Sequence, residues 1–387
     1  MPSTLSARGF IALLLAAVIV SAGSLALGVA IGRPHGASSG TQPITVAWKR
    51  SISKPVGFAM ASGGRFFAVV DRDGNVRFLD ASGNTIWSTR VEGATSVLIA
   101  KNGQSLLIFS KLNPLFTDVY FYKGDGRLLW KHHVDGTIWC GAVSPDGARA
   151  AVTTSKKYIY VYKPDPRHPK FHRWLLDGIG HSATFTPDNQ DVVIGTWQKP
   201  ELVCFTIDGD LQWKTKHDSE NQYQIQVSAD GHSILGTLPG APESPKIQMC
   251  LWNSSGSLMW KQDIVGFDGR ALVSPQSQYA AISFARKVSA NSKMLERKVA
   301  VYKASGDLWW EKGGLFFGPR LVALSPTGSS VIVSDGDRHL YNIDKSGRIL
   351  SKLALSAALQ DEMSSDDGRI ILAYCSDGSL SLIAVGP

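Results

Sequence analysis

The 387 residues include only four cysteines, Cys140, Cys204, Cys250 and Cys375, with no C-x-x-C pair and no adjacent set of histidines. That spacing argues against a zinc or redox centre. Each thiol sits in an apolar, strand-like run and reads as a small buried hydrophobe. No cysteine lies near the N-terminus, which rules out a lipoprotein anchor. There is no H-E-x-x-H, no G-x-S-x-G and no glycine-rich phosphate loop joined to a helix, so the familiar hydrolase and nucleotide signatures are missing. Charge is also sparse, at 19% of residues. The formal net charge is +8, but the basic residues are scattered through loops without a dense run. This describes a solvated basic surface, and nucleic acid is not an expected partner. Helical periodicity is nearly absent beyond the N-terminus.

What is present begins with an uncharged run. Residues 9–32, GFIALLLAAVIVSAGSLALGVAIG, lie between Arg8 and Arg33. About 20 apolar residues are needed to span a hydrocarbon core, so the run is long enough for a membrane helix. A cleavable signal peptide is the alternative, since Val20-Ser21-Ala22 resembles a cleavage site. Hydrophobicity continues through Leu25, Leu27, Val29 and Ile31, which favours an uncleaved signal anchor. The expected organisation is a tail at 1–8, a transmembrane helix at 9–32, a linker at 33–43 and one folded domain at 44–387. A short tail before a large domain suggests a single-pass membrane protein with its domain outside the cytoplasm. The basic residues flanking the helix, Arg8 against Arg33, Lys49 and Arg50, discriminate orientation poorly.

The folded part is repetitive. Turns of the Ser-Pro-Asp-Gly type recur at 61–64, 100–103, 144–147, 186–189, 228–231, 274–277, 325–328 and 365–368. Proline pre-sets the second position of such a turn, Asp bonds its own backbone, and Gly adopts the left-handed conformation. Each turn leads into β-branched and aromatic runs, such as Ile159-Tyr160-Val161-Tyr162, that favour sheet over helix. A second turn, Gly-x-x-x-Trp, follows at Gly83/Trp87, Gly126/Trp130, Gly209/Trp213, Gly256/Trp260 and Gly306/Trp310, with Trp174 at the equivalent point without its glycine. Four strands in roughly forty residues are the signature of a propeller blade. The last repeat stops after its third strand, and residues 44–48, ending in Trp48, supply a fourth. The expected fold is therefore all-β, an eight-bladed β-propeller closed by its first strand, or seven-bladed should two weak repeats merge. Closure leaves no open sheet edge.

At this point the chain resembles known families. The Ser-Pro-Asp-Gly turns look like those of TolB-type and WD-repeat-like propellers, most clearly at 144–147. The Gly-x-x-x-Trp turns look like the tryptophan-docking turns of quinoprotein (PQQ-type) propellers, including the barrel-assembly lipoprotein of outer membranes. The resemblance covers residues 44–387 and implies a fold more than a function. It casts Trp48, Trp87, Trp130, Trp174, Trp213, Trp260 and Trp310 as blade-locking residues, packed between blades. Many quinoprotein dehydrogenases carry adjacent cysteines beside their cofactor; this sequence has none, and no cofactor or metal is expected.

Polar clusters add little. His132-His133 begins an inter-blade segment where adjacent side chains point oppositely, and His168 and His172 lie in a basic, proline-containing loop. Asn253-Ser254-Ser255 is a formal glycosylation sequon. The loops divide by face. The first and third connections of every blade carry the short turns, whereas the other face carries longer segments at 111–118, 195–201, 238–246, 286–298, 313–320 and 353–362. These place Leu112, Leu115, Phe116, Trp197, Phe267, Leu315, Phe316 and Phe317 among polar residues, either as a partner-binding face or as a plug over the end of the ring. The linker enters on the short-turn side, so the long-loop face points away from the bilayer. The reading is a non-enzymatic, membrane-tethered scaffold for a protein or envelope component. The alternatives are a quinone- or metal-dependent enzyme using the central funnel, and a ligand- or polymer-binding sensor.

Overall fold

A computed structural model describes residues 43–111, 116–163, 165, 169–216, 224–238, 244–288, 295–314 and 320–386, with only the backbone of Phe116 and Lys216. The segment 1–42, including the run at 9–32 and most of the linker, lies outside the described residues. Among the described residues no helix is long and apolar enough to cross a membrane.

The strands form eight four-stranded antiparallel sheets. In seven of them the strand order follows the chain, as in blade 3 with Ile138–Val143, Ala150–Thr154, Tyr158–Tyr162 and Phe171–Leu175. The eighth sheet is assembled from both ends of the described chain. Leu359–Ser364, Ile370–Cys375 and Ser379–Val385 are completed by Ile44–Ser51, with Ile44 opposite Val385 and Ser51 opposite Ser379. Pairing thus extends three residues past the 44–48 read from the sequence. Gly386 N–H donates to the Pro43 carbonyl at 2.9 Å, so the chain joins this strand at the short-turn end of the blade.

Blades pack face to face, so their middle strands are covered on both sides and lose the usual inside–outside alternation. Ser105–Ser110 and Ala150–Thr154 are buried at every position. The core is accordingly divided into eight seams. One joins blades 1 and 2 through Ala68, Val70, Phe78, Val97, Leu106 and Ile108. Another joins blade 8 back to blade 1 through Trp48, Phe67, Val69, Leu372, Leu380 and Leu382. At about 25 cal/mol per Å² of apolar area removed from water, these seams supply the ring's cohesion.

The seven repeat tryptophans sit on the seams. Trp48, Trp87, Trp213 and Trp260 each donate the indole N–H to a carbonyl in the third-connection turn of the next blade, at Ala81 (2.9 Å), Gly124 (2.8 Å), Ser254 (3.1 Å) and Ala304 (3.0 Å). Trp174 stacks on Phe205 of blade 4 at 5.7 Å. Trp130 stacks on Tyr162 of blade 3 at 4.5 Å, and Trp310 donates to Gly328 of blade 7 at 3.2 Å. Each of the seven tryptophans therefore reaches forward, onto a turn or an aromatic strand residue of the following blade.

Several segments read as loops are strand instead. Asp191–Trp197 runs through 195–197, and Tyr279–Lys287 pairs with Leu295–Lys303 as far as Lys287 opposite Leu295. The charged end of that hairpin has low intrinsic sheet preference, but Arg286 and Glu296 face each other as an ion pair 2.7 Å apart, which supports the ladder.

Candidate interaction face

The funnel is built by the innermost strand of each blade, and seven of the eight carry the same irregularity. The pairing of the first and second strands slips between Pro55 and Gly57, Ala94 and Ser96, Ile138 and Cys140, Gly180 and Ser182, Phe267 and Arg270, Leu321 and Ala323, and Leu359 and Asp361. A bulge leaves a residue without a ladder partner and re-aims its side chain. Here the bulges lie toward the long-loop end, and the unpaired residues include Thr95, Trp139, His181, Asp268 and Gln360. Close packing accompanies the slip: a Cβ on Gly180 would lie 2.6 Å from Cγ2 of Thr153 on the neighbouring blade.

One side of this mouth is aromatic. Trp139, on the innermost strand of blade 3, is 38% exposed. Its ring centroid lies 5.7 Å from Trp197 and 6.2 Å from His181, both on blade 4. Burial lowers the His181 pKa, and its Nδ1 is enclosed without a hydrogen-bond partner. The ring is held neutral, and the cluster behaves as an apolar surface.

The other side is ionic. Arg270 on blade 6 donates to Oε1 of Glu362 on blade 8, and Arg320 on blade 7 forms an ion pair with the same oxygen, its Nε 3.1 Å away. Arg320 also lies 3.8 Å from Asp361. The Glu362 side chain is fully enclosed, whereas that of Arg320 is 43% exposed and that of Asp361 is 56% exposed. Glu362 Oε2 is buried and accepts nothing. Burial pushes the Glu362 carboxyl above its ordinary range, opposed by the charges of Arg270 and Arg320, and the same burial lowers Arg270.

Of the residues read as a binding face, Trp197 joins the aromatic cluster. Phe267 does not belong to an exposed surface: at 5% exposure its ring is enclosed where its strand leaves the long-loop end. A strand start on the inner ring is covered by the flanking blades, which a loop reading overlooks. The backbone of Phe116 opens the strand Phe116–Lys123 opposite Asp135. Leu112, Leu115, Leu315, Phe316 and Phe317 lie outside the described residues. The sequence reading missed Trp139, His181, Arg270, Arg320 and Glu362. The available signal was glycine inside apolar runs, as at Gly57, Gly141, Gly180 and Gly269, which marks bulges and close backbone approach.

Among the described residues no group of three or more His, Cys, Asp or Glu is placed to hold a metal ion. Cys204 and Cys250 are buried, and burial pushes both thiols up to about 12.

No family model matches the chain, and no curated protein matches it in sequence. Solved structures match its shape. The C-terminal WD40 domain of Sif2 superposes with a TM-score of 0.64 at 12% identity, over 90% of this chain and 100% of that one. The Dos1 propeller gives 0.64 at 12% identity, over 89% and 94%. A chain of hydrazine synthase from Kuenenia stuttgartiensis gives 0.55 at 14% identity, over 76% and 97%. Likeness at such identities is one of fold, and the same shape serves a WD40 domain and an enzyme. The chain is an eight-bladed β-propeller.

Proposed function

We propose that this protein is a membrane-tethered scaffold that binds a protein partner on its long-loop face. The observation that carries the reading is the exposed Trp139 packed with Trp197 on neighbouring blades, at the funnel mouth opposite the short turns. Exposed aromatics on a rigid scaffold bury much area with little entropy lost, which is the character of interface anchors. The funnel carboxylate is poorly suited to acid or base catalysis, because Glu362 is fully enclosed and ion-paired with two guanidinium groups. In this reading the run at 9–32 is the anchor. The closing strand begins at the short-turn end, beside Val385 and Gly386, which supports an orientation with the aromatic mouth facing away from the bilayer.

The test is photocrosslinking in native membranes, with the crosslinking side chain placed at position 197 and, as a control, at Leu211 on an outer strand. A single partner captured from position 197 and absent from Leu211 is the expected result. Equal capture from both positions, or none from 197, overturns the scaffold reading. Carbonate-resistant sedimentation of the full chain, lost when 1–42 is removed, checks the tether.

A further inference from the structure

Within the aromatic cluster of Trp139, His181 and Trp197, only His181 can change its charge near neutral pH. It is the bulged residue of Ile179–Phe185, without a ladder partner between Gly180 and Ser182, and its ring lies 6.2 Å from the exposed Trp139. Its Nδ1 is buried and has no hydrogen-bond partner.

Among the described residues, nothing on the strands packed against it is placed to answer an imidazolium. The innermost strand of blade 3, Ile138–Val143, offers Cys140, whose thiol burial pushes up to about 12. Tyr158–Tyr162 offers only neutral phenols, and Ala150–Thr154 and Gln224–Val227 carry no ionisable group. Asp191 stands at the short-turn end of its strand, four residues from Gly195 opposite Ser182, or about 13 Å away along the ladder. The connections at this mouth add Lys156, Lys157, Lys199 and Asp177. Three of these are cations, and the Asp177 carboxylate is engaged by Lys214 at 3.1 Å.

A proton on His181 therefore puts an uncompensated charge beside Trp139. A partner seated on the cluster strips further water from the ring and raises that cost. The complex then holds the proton more weakly than the free protein does, and by reciprocity acid weakens the complex.

We infer that the aromatic mouth grips an uncharged, apolar group of its partner while His181 is neutral and releases it when His181 is protonated. This rests on the scaffold reading and adds the regulation of the same site. The uncharged occupant follows from matching: the aromatic faces are apolar, and the arginines across the mouth are already paired with Glu362 and Asp361. An acidic occupant would pair with the imidazolium and bind better in acid, so the sign of the pH dependence separates the two.

The test places a photocrosslinking side chain at Lys199, which is exposed and two residues past Trp197, so the cluster stays intact. The full chain is irradiated in native membranes at pH 7.5 and at pH 5. Capture should fall about tenfold at the lower pH, the linkage of one proton over roughly one unit below its pKa. His181→Gln is uncharged at every pH, and whatever its capture at pH 7.5, its capture at pH 5 should be level with it. Melting curves at both pH values verify that parent and variant are folded. Capture by the parent that is level or rises in acid overturns the inference. A fall that persists in His181→Gln, or a variant that captures nothing at either pH, overturns it equally. The scaffold reading survives those outcomes as long as the parent captures one partner at pH 7.5, whereas no capture by the parent at either pH removes both.

Discussion

Gly83 lies flat against the indole of Trp48: a Cβ built on it would sit 2.9 Å from Cδ2 of that ring. Its φ of +75° places the same residue in the left-handed region. Two independent constraints thus meet at one position, the turn's need for glycine and the ring's need for room. Gly83→Ala should cost about 2–3 kcal/mol, combining left-handed backbone strain with overpacking. Trp48→Ala should cost about 3–5 kcal/mol. Because the residues touch, the losses should not add: the double variant in chemical denaturation should fall well short of their sum. Full additivity would show that the ring and the glycine are not coupled.

Glu362 makes stability depend on pH in a defined direction. Burial raises its carboxyl above the ordinary value of 4.5, so the folded protein binds this proton more tightly than the unfolded chain does. The contribution to stability is fully present below the unfolded pKa and fades as pH rises through the folded one. Glu362→Gln is uncharged at every pH and removes that slope. The thermal midpoint of the variant, taken relative to the parent, should therefore climb as pH increases from 4 upward. A relative midpoint that falls over the same interval would show that the two arginines hold Glu362 ionised in the folded state.

Cys204 and Cys250 should be silent toward thiol reagents in the native protein. Both are buried, and burial pushes their thiols up to about 12, leaving almost no thiolate at neutral pH. Maleimide labelling at pH 7 should leave both unmodified in the folded chain and modify both within minutes in guanidinium. Mass spectrometry reads the sites directly, and rapid native labelling at either would show that its blade opens.

The fold was legible because each blade repeats the same local physics. The Ser-Pro-Asp-Gly turns, the β-rich runs and the Gly-x-x-x-Trp spacing all recur, so an error in one blade is corrected by the other seven. The funnel mouth was not legible for the opposite reason. Trp139, Arg320 and Glu362 each occur once, on strands that look alike, and each finds its partners only on neighbouring blades that close around an axis. A bulge also shifts which face a side chain takes, so alternation along Ile138–Val143 does not announce that Trp139 is exposed. Loop boundaries failed where charge pairs extend a ladder, as Arg286 and Glu296 do.

Removing residues 1–51 should break the ring at one seam while leaving seven intact. Ile44–Ser51 is the outer strand of blade 8, and it brings Trp48 into the seam with blade 1. Its loss uncovers the backbone of Ser379–Val385 and removes the Lys49–Asp377 contact at 3.3 Å. Unpaired edges invite pairing between molecules, so the shortened chain should elute as higher-order species and melt well below a chain starting at residue 43. A synthetic peptide of residues 43–51 added in excess should restore the monomer and raise the melting point, since it binds only the folded ring. The same peptide with Trp48 replaced by alanine should fail, because strand pairing alone lacks the indole that fills the seam. If the shortened chain stays monomeric and melts with the parent, the first strand is an accessory to blade 8 and the ring holds without it.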